Sequence, residues 1–143
     1  MSNSRYAVKL STDLNIDIVE KKPTQGLLDF CYDAIGCRYV EHVNARHLLS
    51  PYTLMIDEEG RLKDKPMVNF IASYLYGAHE HHEPIVGNVL VMKIGMTEEG
   101  PDILLLSEEE AQKVFTTMRM VASVAYKKVS DALEISHETE DRE

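Results

Sequence analysis

Residues 79 to 83 read HEHHE, so three imidazoles and two carboxylates occur in five consecutive positions, directly before the apolar run IVGNVLV. Imidazole nitrogens and carboxylate oxygens both bind zinc, at about 2.0 to 2.2 Å in a tetrahedral site. On a helix, His79, His82 and Glu83 would share one face. On a strand, His79, His81 and Glu83 would do so. Either conformation predicts three candidate metal ligands.

This histidine cluster has two interpretations, a metal site and a solvated loop. A fourth zinc ligand could come from His42, His47 or a cysteine. However, the cluster lies between Gly77 and Pro84, two residues that favour turns and loops. We therefore expect a solvated loop with no tightly held metal and no cofactor, and the metal site stays open as the alternative.

A second group of polar side chains lies in the stretch CRYVEHVNARH, residues 37 to 47. A pocket for a small molecule or nucleotide uses this mixture: an aromatic ring for stacking, cations for phosphate and an acid for hydroxyl groups. The alternative is an edge strand whose solvent face is charged. The candidate ligand-binding residues are Arg38, Tyr39, Glu41, His42, Arg46, His47 and Asn69.

The common catalytic motifs are absent from the sequence. The chain contains no G-x-S-x-G nucleophile motif, no P-loop, no H-E-x-x-H motif and no dinucleotide-binding glycine pattern. No motif therefore fixes a nucleophile, a general base or a set of metal ligands. The sequence favours a binding protein over an enzyme.

The net charge of −9 is concentrated at the C-terminus, where residues 131 to 143 contain six acids and one base. We expect residues 134 to 143 to form a disordered acidic tail. No basic stripe is visible, so duplex nucleic acid is not an expected ligand. No apolar stretch approaches the roughly 20 residues of a membrane span. Cys31 and Cys37 match no redox or zinc motif, which indicates reduced thiols and a cytoplasmic protein.

Apolar periodicity predicts a single α+β domain over residues 1 to 133, with an antiparallel or mixed sheet, short helices on one side and a long C-terminal helix. RYAVKL and LNIDIVEK indicate a hairpin, and IVGNVLVMKIG indicates a central strand buried on both faces. Thr24 is expected to cap the first helix. Gly60 is expected to lie at the tip of a second hairpin. Asn69 and Gly77 are expected to begin and end a short helix.

The long C-terminal helix also predicts a homodimer. Ser107 and Glu110 match a capping box at its start, and an apolar stripe continues from Ala111 to Val129. A domain of about 100 residues has a radius of gyration near 13 Å, too small to cover the whole stripe. Exposed apolar surface favours association, most commonly as a two-fold dimer. The expected interface residues are Met118, Val121, Ala125 and Val129.

The order of these segments resembles a family of short proteins, common in phages, plasmids and Firmicute genomes, that is grouped as a domain of unknown function. The resemblance covers roughly residues 5 to 115 and lies in RYVEHV, MIDEEGRLKDKPMVN, IVGNVLV and ILLLSEEEAQKV. In that family the Asn at the end of the second stretch is usually followed by Arg, whereas Phe70 follows Asn69 here. A ligand contact made by that Arg would therefore be missing. The family has no established catalytic residues that could be carried over.

The resemblance implies a mobile-element accessory protein that acts on host machinery or host signals. We therefore expect a non-enzymatic, phage-derived counter-defence protein in the host cytoplasm. It would sequester a nucleotide signal or occupy a host defence protein. Two alternatives stay open: a metal-dependent hydrolase that uses residues 79 to 83, and a scaffold or assembly accessory.

Overall fold

The strands of this chain form one antiparallel sheet, and helices cover both of its faces. The computed structural model describes the backbone of residues 4–81 and 83–141 and the side chains of residues 4–80 and 83–134. The strands are β1 Tyr6–Leu10, β2 Ile16–Glu20, β3 Val40–Val43, β4 Tyr52–Asp57, β5 Val89–Thr97 and β6 Gly100–Leu104. The helices are α1 Leu27–Ile35, α2 Phe70–Tyr76, α3 Ala78–His81 and α4 Glu108–Asp141, with a 3-10 helix at Gly60–Leu62.

β5 lies at the centre of the sheet. The strand order is β2-β1-β5-β4-β3, and β6 pairs with the second half of β5. Val89, Leu90, Val91 and Met92 are fully buried, so successive side chains of β5 are covered on both faces. The antiparallel sheet and the long C-terminal helix confirm the predicted α+β class, and β5 is the buried central strand that was expected.

Each face of the sheet packs against different helices. On one face, Val8, Leu54 and Val91 belong to a core shared with α2 and α4. On the other face, Leu90 and Met92 pack with α1. α1 therefore lies opposite α2 and α4, whereas the sequence suggested short helices on one side. The reason is that β5 carries apolar residues at consecutive positions, so both faces of the sheet must be removed from water.

Two helix ends follow the local signals in the sequence. Asn69 caps α2 by accepting a hydrogen bond from Ala72 N at 3.0 Å, and Gly77 ends α2 with φ of 94°. Ser107 and Glu110 form the expected capping box before α4. Glu110 N donates to Ser107 Oγ at 3.1 Å, and Ser107 N donates to Glu110 Oε1 at 2.9 Å.

The start of α1 was predicted incorrectly. Gly26 precedes this helix, and no side chain caps it. Thr24 lies instead in a turn in which Gln25 N donates to Lys22 O at 3.1 Å. Gln25 and Gly26 lie between Thr24 and Leu27, the first helical residue, so Thr24 does not occupy the cap position.

Gly60 does not form a hairpin tip, because the segment after it is helical rather than extended. Asp57 Oδ1 accepts a hydrogen bond from Glu59 N at 2.9 Å, and Lys63 Nζ lies 2.8 Å from Asp57 Oδ2. These contacts fold the chain back onto the end of β4. A Cβ atom at Gly60 would lie 2.8 Å from Val86 Cγ2, so the close approach of these two segments requires glycine.

α4 continues to Asp141, beyond the end predicted near residue 133. Residues 142 and 143 lie outside the described residues, and so do the side chains of residues 135–141. The disorder predicted for residues 134 to 143 therefore stays a prediction. Among the described residues, neither α4 nor any other helix is both long and apolar enough to cross a membrane.

The apolar stripe of α4 packs inside its own chain. Met118, Ala125 and Val129 are buried, Val121 is half-buried, and the helix lies over α2, β1 and β2. The residues expected at a dimer interface therefore face the core of their own chain, because the sheet and α2 extend far enough along the helix to cover it. The homodimer itself stays a prediction, and it would need another surface.

Candidate ligand-binding site

The loop of residues 44–51 between β3 and β4 folds onto the end of α2. His47 N donates a hydrogen bond to Leu75 O at 2.8 Å, and Leu48 N donates to Ala45 O at 3.1 Å. Ala45 is buried and joins the core on the α2 and α4 face of the sheet. These contacts fix His47 beside α2, although the sequence separates the two by more than 20 residues.

A left-handed turn at Gly77 places α3 next to this loop. Gly77 N donates to both Ser73 O and Tyr74 O, and Glu80 N donates to Gly77 O at 2.9 Å. The chain therefore changes direction after α2 and starts a new single-turn helix. This turn brings His79 and Glu80 of α3 to the side chains of the 44–51 loop.

Arg46, His47, His79 and Glu80 form one polar group, which we call the Glu80 cluster. Arg46 NH1 lies 2.7 Å from Glu80 Oε2, and His47 Nε2 lies 2.6 Å from Glu80 Oε1. His79 Nε2 lies 3.3 Å from the same Oε1 atom. The hydrogen bond with His47, aided by the charge of Arg46 and opposed by burial, lowers the pKa of Glu80. Glu80 is therefore a carboxylate at neutral pH.

Aromatic rings support one side of the Glu80 cluster. The rings of Tyr74 and His79 are stacked at a centroid distance of 4.8 Å, and those of His47 and Tyr74 are stacked at 5.7 Å. The rings of His47 and His79 lie 5.3 Å apart. Three rings in mutual contact restrict one another's rotation, so both imidazoles are held in fixed orientations.

A cavity of about 490 Å³ lies between α2, α4 and the 44–51 loop, and we call it the α2–α4 cavity. Its volume exceeds those of two other cavities, of about 380 and 410 Å³, and its walls are mainly apolar. Its volume falls within the range of about 300 to 1,000 Å³ that is usual for small-molecule sites. Its lining residues are His47, Leu48, Leu49, Tyr52, Tyr74, Leu75, Lys113, Val114, Thr117, Met118 and Val121.

The candidate ligand-binding residues do not form one pocket. Arg46 and His47 lie in the Glu80 cluster, but Arg38 borders a different cavity of about 380 Å³ and pairs with Glu59 at 3.7 Å. Glu41 borders a third cavity of about 410 Å³. Tyr39 and His42 are exposed at or beside β3, the edge strand. The candidates are separated because β3 spans only Val40–Val43. Arg38 belongs to the segment before this strand, whereas Arg46 and His47 belong to the loop after it.

Asn69 is used by the fold and lies outside the Glu80 cluster. Its side chain is fully buried, accepts from Ala72 N and donates to Leu10 O at 2.8 Å and to Gly87 O at 2.9 Å. These three hydrogen bonds occupy both amide hydrogens and the amide oxygen. The helix cap that the sequence predicts therefore describes its role.

The predicted metal candidates are also divided. His79 lies in the Glu80 cluster, Glu83 borders the same cavity as Glu41, and the side chains of His81 and His82 lie outside the described residues. Glu80, which was not among the candidates, contacts three members of the cluster. Counted from His79, neither the alternating positions of a strand nor the i, i+3 positions of a helix include Glu80, so neither pattern could select it.

A family model described as Domain of unknown function (DUF3846) matches residues 8 to 119 of the chain. Comparisons with curated proteins and with solved structures found no match. The matched range contains the sheet apart from Tyr6 and Ala7, and it contains the whole Glu80 cluster. It also contains every residue that lines the α2–α4 cavity except Val121. The match spans well over half of the chain. This protein is therefore a member of the DUF3846 family of unknown function.

Proposed function

We propose that this protein binds a small molecule in the α2–α4 cavity without transforming it. The observation that carries the proposal is the cavity itself: about 490 Å³, mainly apolar, with His47 of the Glu80 cluster in its lining. Apolar walls with a few convergent polar groups are typical of ligand sites. The absence of catalytic motifs from the sequence supports binding rather than turnover.

The side chains around the cavity suit a nucleotide. Tyr52 and Tyr74 offer aromatic rings on which a base can stack. Lys113 borders the cavity and supplies a cation for phosphate oxygens. We therefore propose a nucleotide signal as the ligand.

The biological form of the proposal is counter-defence by a mobile element, in the cytoplasm of the host. The resemblance seen in the sequence supports this context, since it implies a mobile-element accessory protein. Sequestration requires only tight binding, which a site without catalytic groups can supply. If no nucleotide binds, the proposal is instead that this protein binds directly to a host defence protein and blocks it.

A metal-dependent hydrolase is the second candidate function. The observation that favours it is the proximity of two imidazoles and one carboxylate in His47, His79 and Glu80. Two histidines and one glutamate are the protein ligands in some catalytic zinc sites. Of the metal ligands predicted within residues 79 to 83, this group contains His79.

Incubation with a panel of cyclic dinucleotides and ADP-ribose derivatives tests the proposal. The purified chain is mixed with each compound, passed through a desalting column and heated, and the released material is identified by mass spectrometry. We expect at least one compound to co-elute and to be released intact. A released product would favour the hydrolase, and the absence of any retained compound would contradict nucleotide binding.

A further inference from the structure

The geometry points to a binding site for one divalent metal ion of the zinc class at His47, His79 and Glu80. One ligand atom from each of these side chains lies within 4.8 Å of the other two. The set combines neighbouring residues of α3 with a residue of the 44–51 loop. It therefore exists only in the folded chain, unlike the adventitious binding of metal by consecutive histidines.

One of the distances between ligand atoms matches that of a zinc site, and a second is shorter. In a tetrahedral site with bonds of about 2.0 to 2.2 Å, neighbouring ligand atoms lie roughly 3.3 Å apart. His79 Nε2 lies 3.3 Å from Glu80 Oε1. His47 Nε2 lies only 2.6 Å from the same oxygen, because the two atoms form a hydrogen bond. When a metal ion replaces the hydrogen between them, the His47 nitrogen needs to move away by roughly 0.7 Å.

The surroundings hold the three ligands in position. Arg46 NH1 bonds Glu80 Oε2, which leaves Oε1 for the metal. Tyr74 stacks on both imidazole rings and fixes their planes. Hydrogen bonds and ring contacts from outside a metal site orient its ligands and contribute to affinity in this way. Because these contacts exist without the ion, metal removal should leave the fold intact.

Three protein ligands leave one position of a tetrahedral zinc ion open. His47 also lines the α2–α4 cavity, so the ion would lie next to that cavity. Zinc with two neutral imidazoles and one carboxylate keeps a positive charge, and Arg46 adds another nearby. The ion would therefore attract an anionic group. This last step rests on the proposed function, to which it adds a positively charged anchor for an anionic ligand.

Isothermal titration of the untagged 143-residue chain with zinc chloride tests the site. We expect one equivalent of zinc to bind, and His47→Gln and His79→Gln each to weaken binding by about tenfold or more, since even outer contacts of a metal site are worth that much. Glutamine keeps a hydrogen-bond donor for Glu80, and circular dichroism checks that each variant is folded. The matched control is a His81→Gln, His82→Gln double variant, which should bind zinc as the intact chain does.

Three results would overturn the inference. The first is that the intact chain shows no saturable zinc binding, and the second is that His47→Gln binds zinc as tightly as the intact chain. The third is that only the double control variant loses binding, which would indicate adventitious binding by consecutive histidines. Zinc alone is the probe, so failure here leaves nucleotide binding untouched. Conversely, a nucleotide panel that fails with and without EDTA would remove the proposed function and leave the zinc result standing.

Discussion

At the scale of single residues, Asn69 joins three parts of the chain through one side chain. It caps α2 and donates to Leu10 O at the end of β1 and to Gly87 O before β5. The sequence predicts the cap, because a cap depends on residues within one helical turn. It could not predict the other two bonds, whose acceptors lie 59 and 18 residues away.

Replacement of Asn69 should therefore cost more than an ordinary cap. We expect Asn69→Ala to lower the free energy of unfolding by about 2 to 4 kcal/mol, because the cap is lost and buried carbonyl groups lose a donor. Asn88→Ala is the control, since Asn88 accepts one hydrogen bond from Thr12 N and its loss should cost about 1 kcal/mol. Urea denaturation measures both. Equal losses in the two variants would contradict this role for Asn69.

Glu110 should make stability depend on pH. Burial opposes its ionisation, but hydrogen bonds with Lys93 Nζ at 2.8 Å and with Ser107 outweigh burial and lower the pKa of Glu110 below its ordinary value of 4.5. A lowered pKa in the folded state means that the unfolded chain binds more protons, so this stabilisation is present above pH 4.5 and is lost as the pH falls through the folded-state pKa.

Glu110→Gln should accordingly be less stable than the intact chain at neutral pH, and the difference should shrink as the pH falls below about 4.5. Thermal unfolding followed by circular dichroism between pH 3 and pH 7 measures the difference. Glu109→Gln is the control: Glu109 is highly exposed, and its replacement should change stability by less than about 0.5 kcal/mol. A difference for Glu110→Gln that stays constant over this range would contradict the contribution of the ionised group.

At the scale of elements, α4 shows what an apolar stripe can and cannot predict. The spacing of its apolar residues correctly identifies the buried side of the helix, since Met118 is 1% exposed and Met120 is 75% exposed. The same stripe would be present whether the helix covered its own core or a second copy. That choice depends on how far the sheet and α2 extend along the helix, which no local pattern of α4 contains.

The two methionines provide a test of this orientation. Met118→Ala should lower the free energy of unfolding by about 2 to 5 kcal/mol, because it creates a cavity in the core. Met120→Ala should change it by less than about 0.5 kcal/mol, because the side chain is exposed. Chemical denaturation of both variants measures the contrast. If Met120→Ala were the more destabilising of the two, this orientation of α4 would be contradicted.

At the scale of the whole molecule, the sequence predicts the fold class better than the site. Alternating apolar residues identify β1 and β2, and a continuous apolar run identifies the central β5; these patterns are local to each strand. The Glu80 cluster requires His47 and Glu80 to meet across 33 residues, which depends on the 44–51 loop folding onto α2. The α2–α4 cavity likewise uses residues from a loop and two helices, and no sequence period connects them.

The central claim is that a small molecule occupies the α2–α4 cavity, and one exposed position tests it most directly. Thr117 lines the cavity but is exposed on α4, so Thr117→Trp should fill the cavity with little effect on the core. Its neighbour Thr116 is also exposed and does not line the cavity, so Thr116→Trp is the matched control. The measurement is retention of the nucleotide panel on a desalting column by the intact chain and by both variants.

We expect the intact chain and Thr116→Trp to retain the same nucleotide, and Thr117→Trp to lose it while keeping its thermal unfolding transition. Retention by Thr117→Trp at the level of the intact chain would show that the ligand binds elsewhere. If the intact chain retains no nucleotide, the binding claim itself is contradicted.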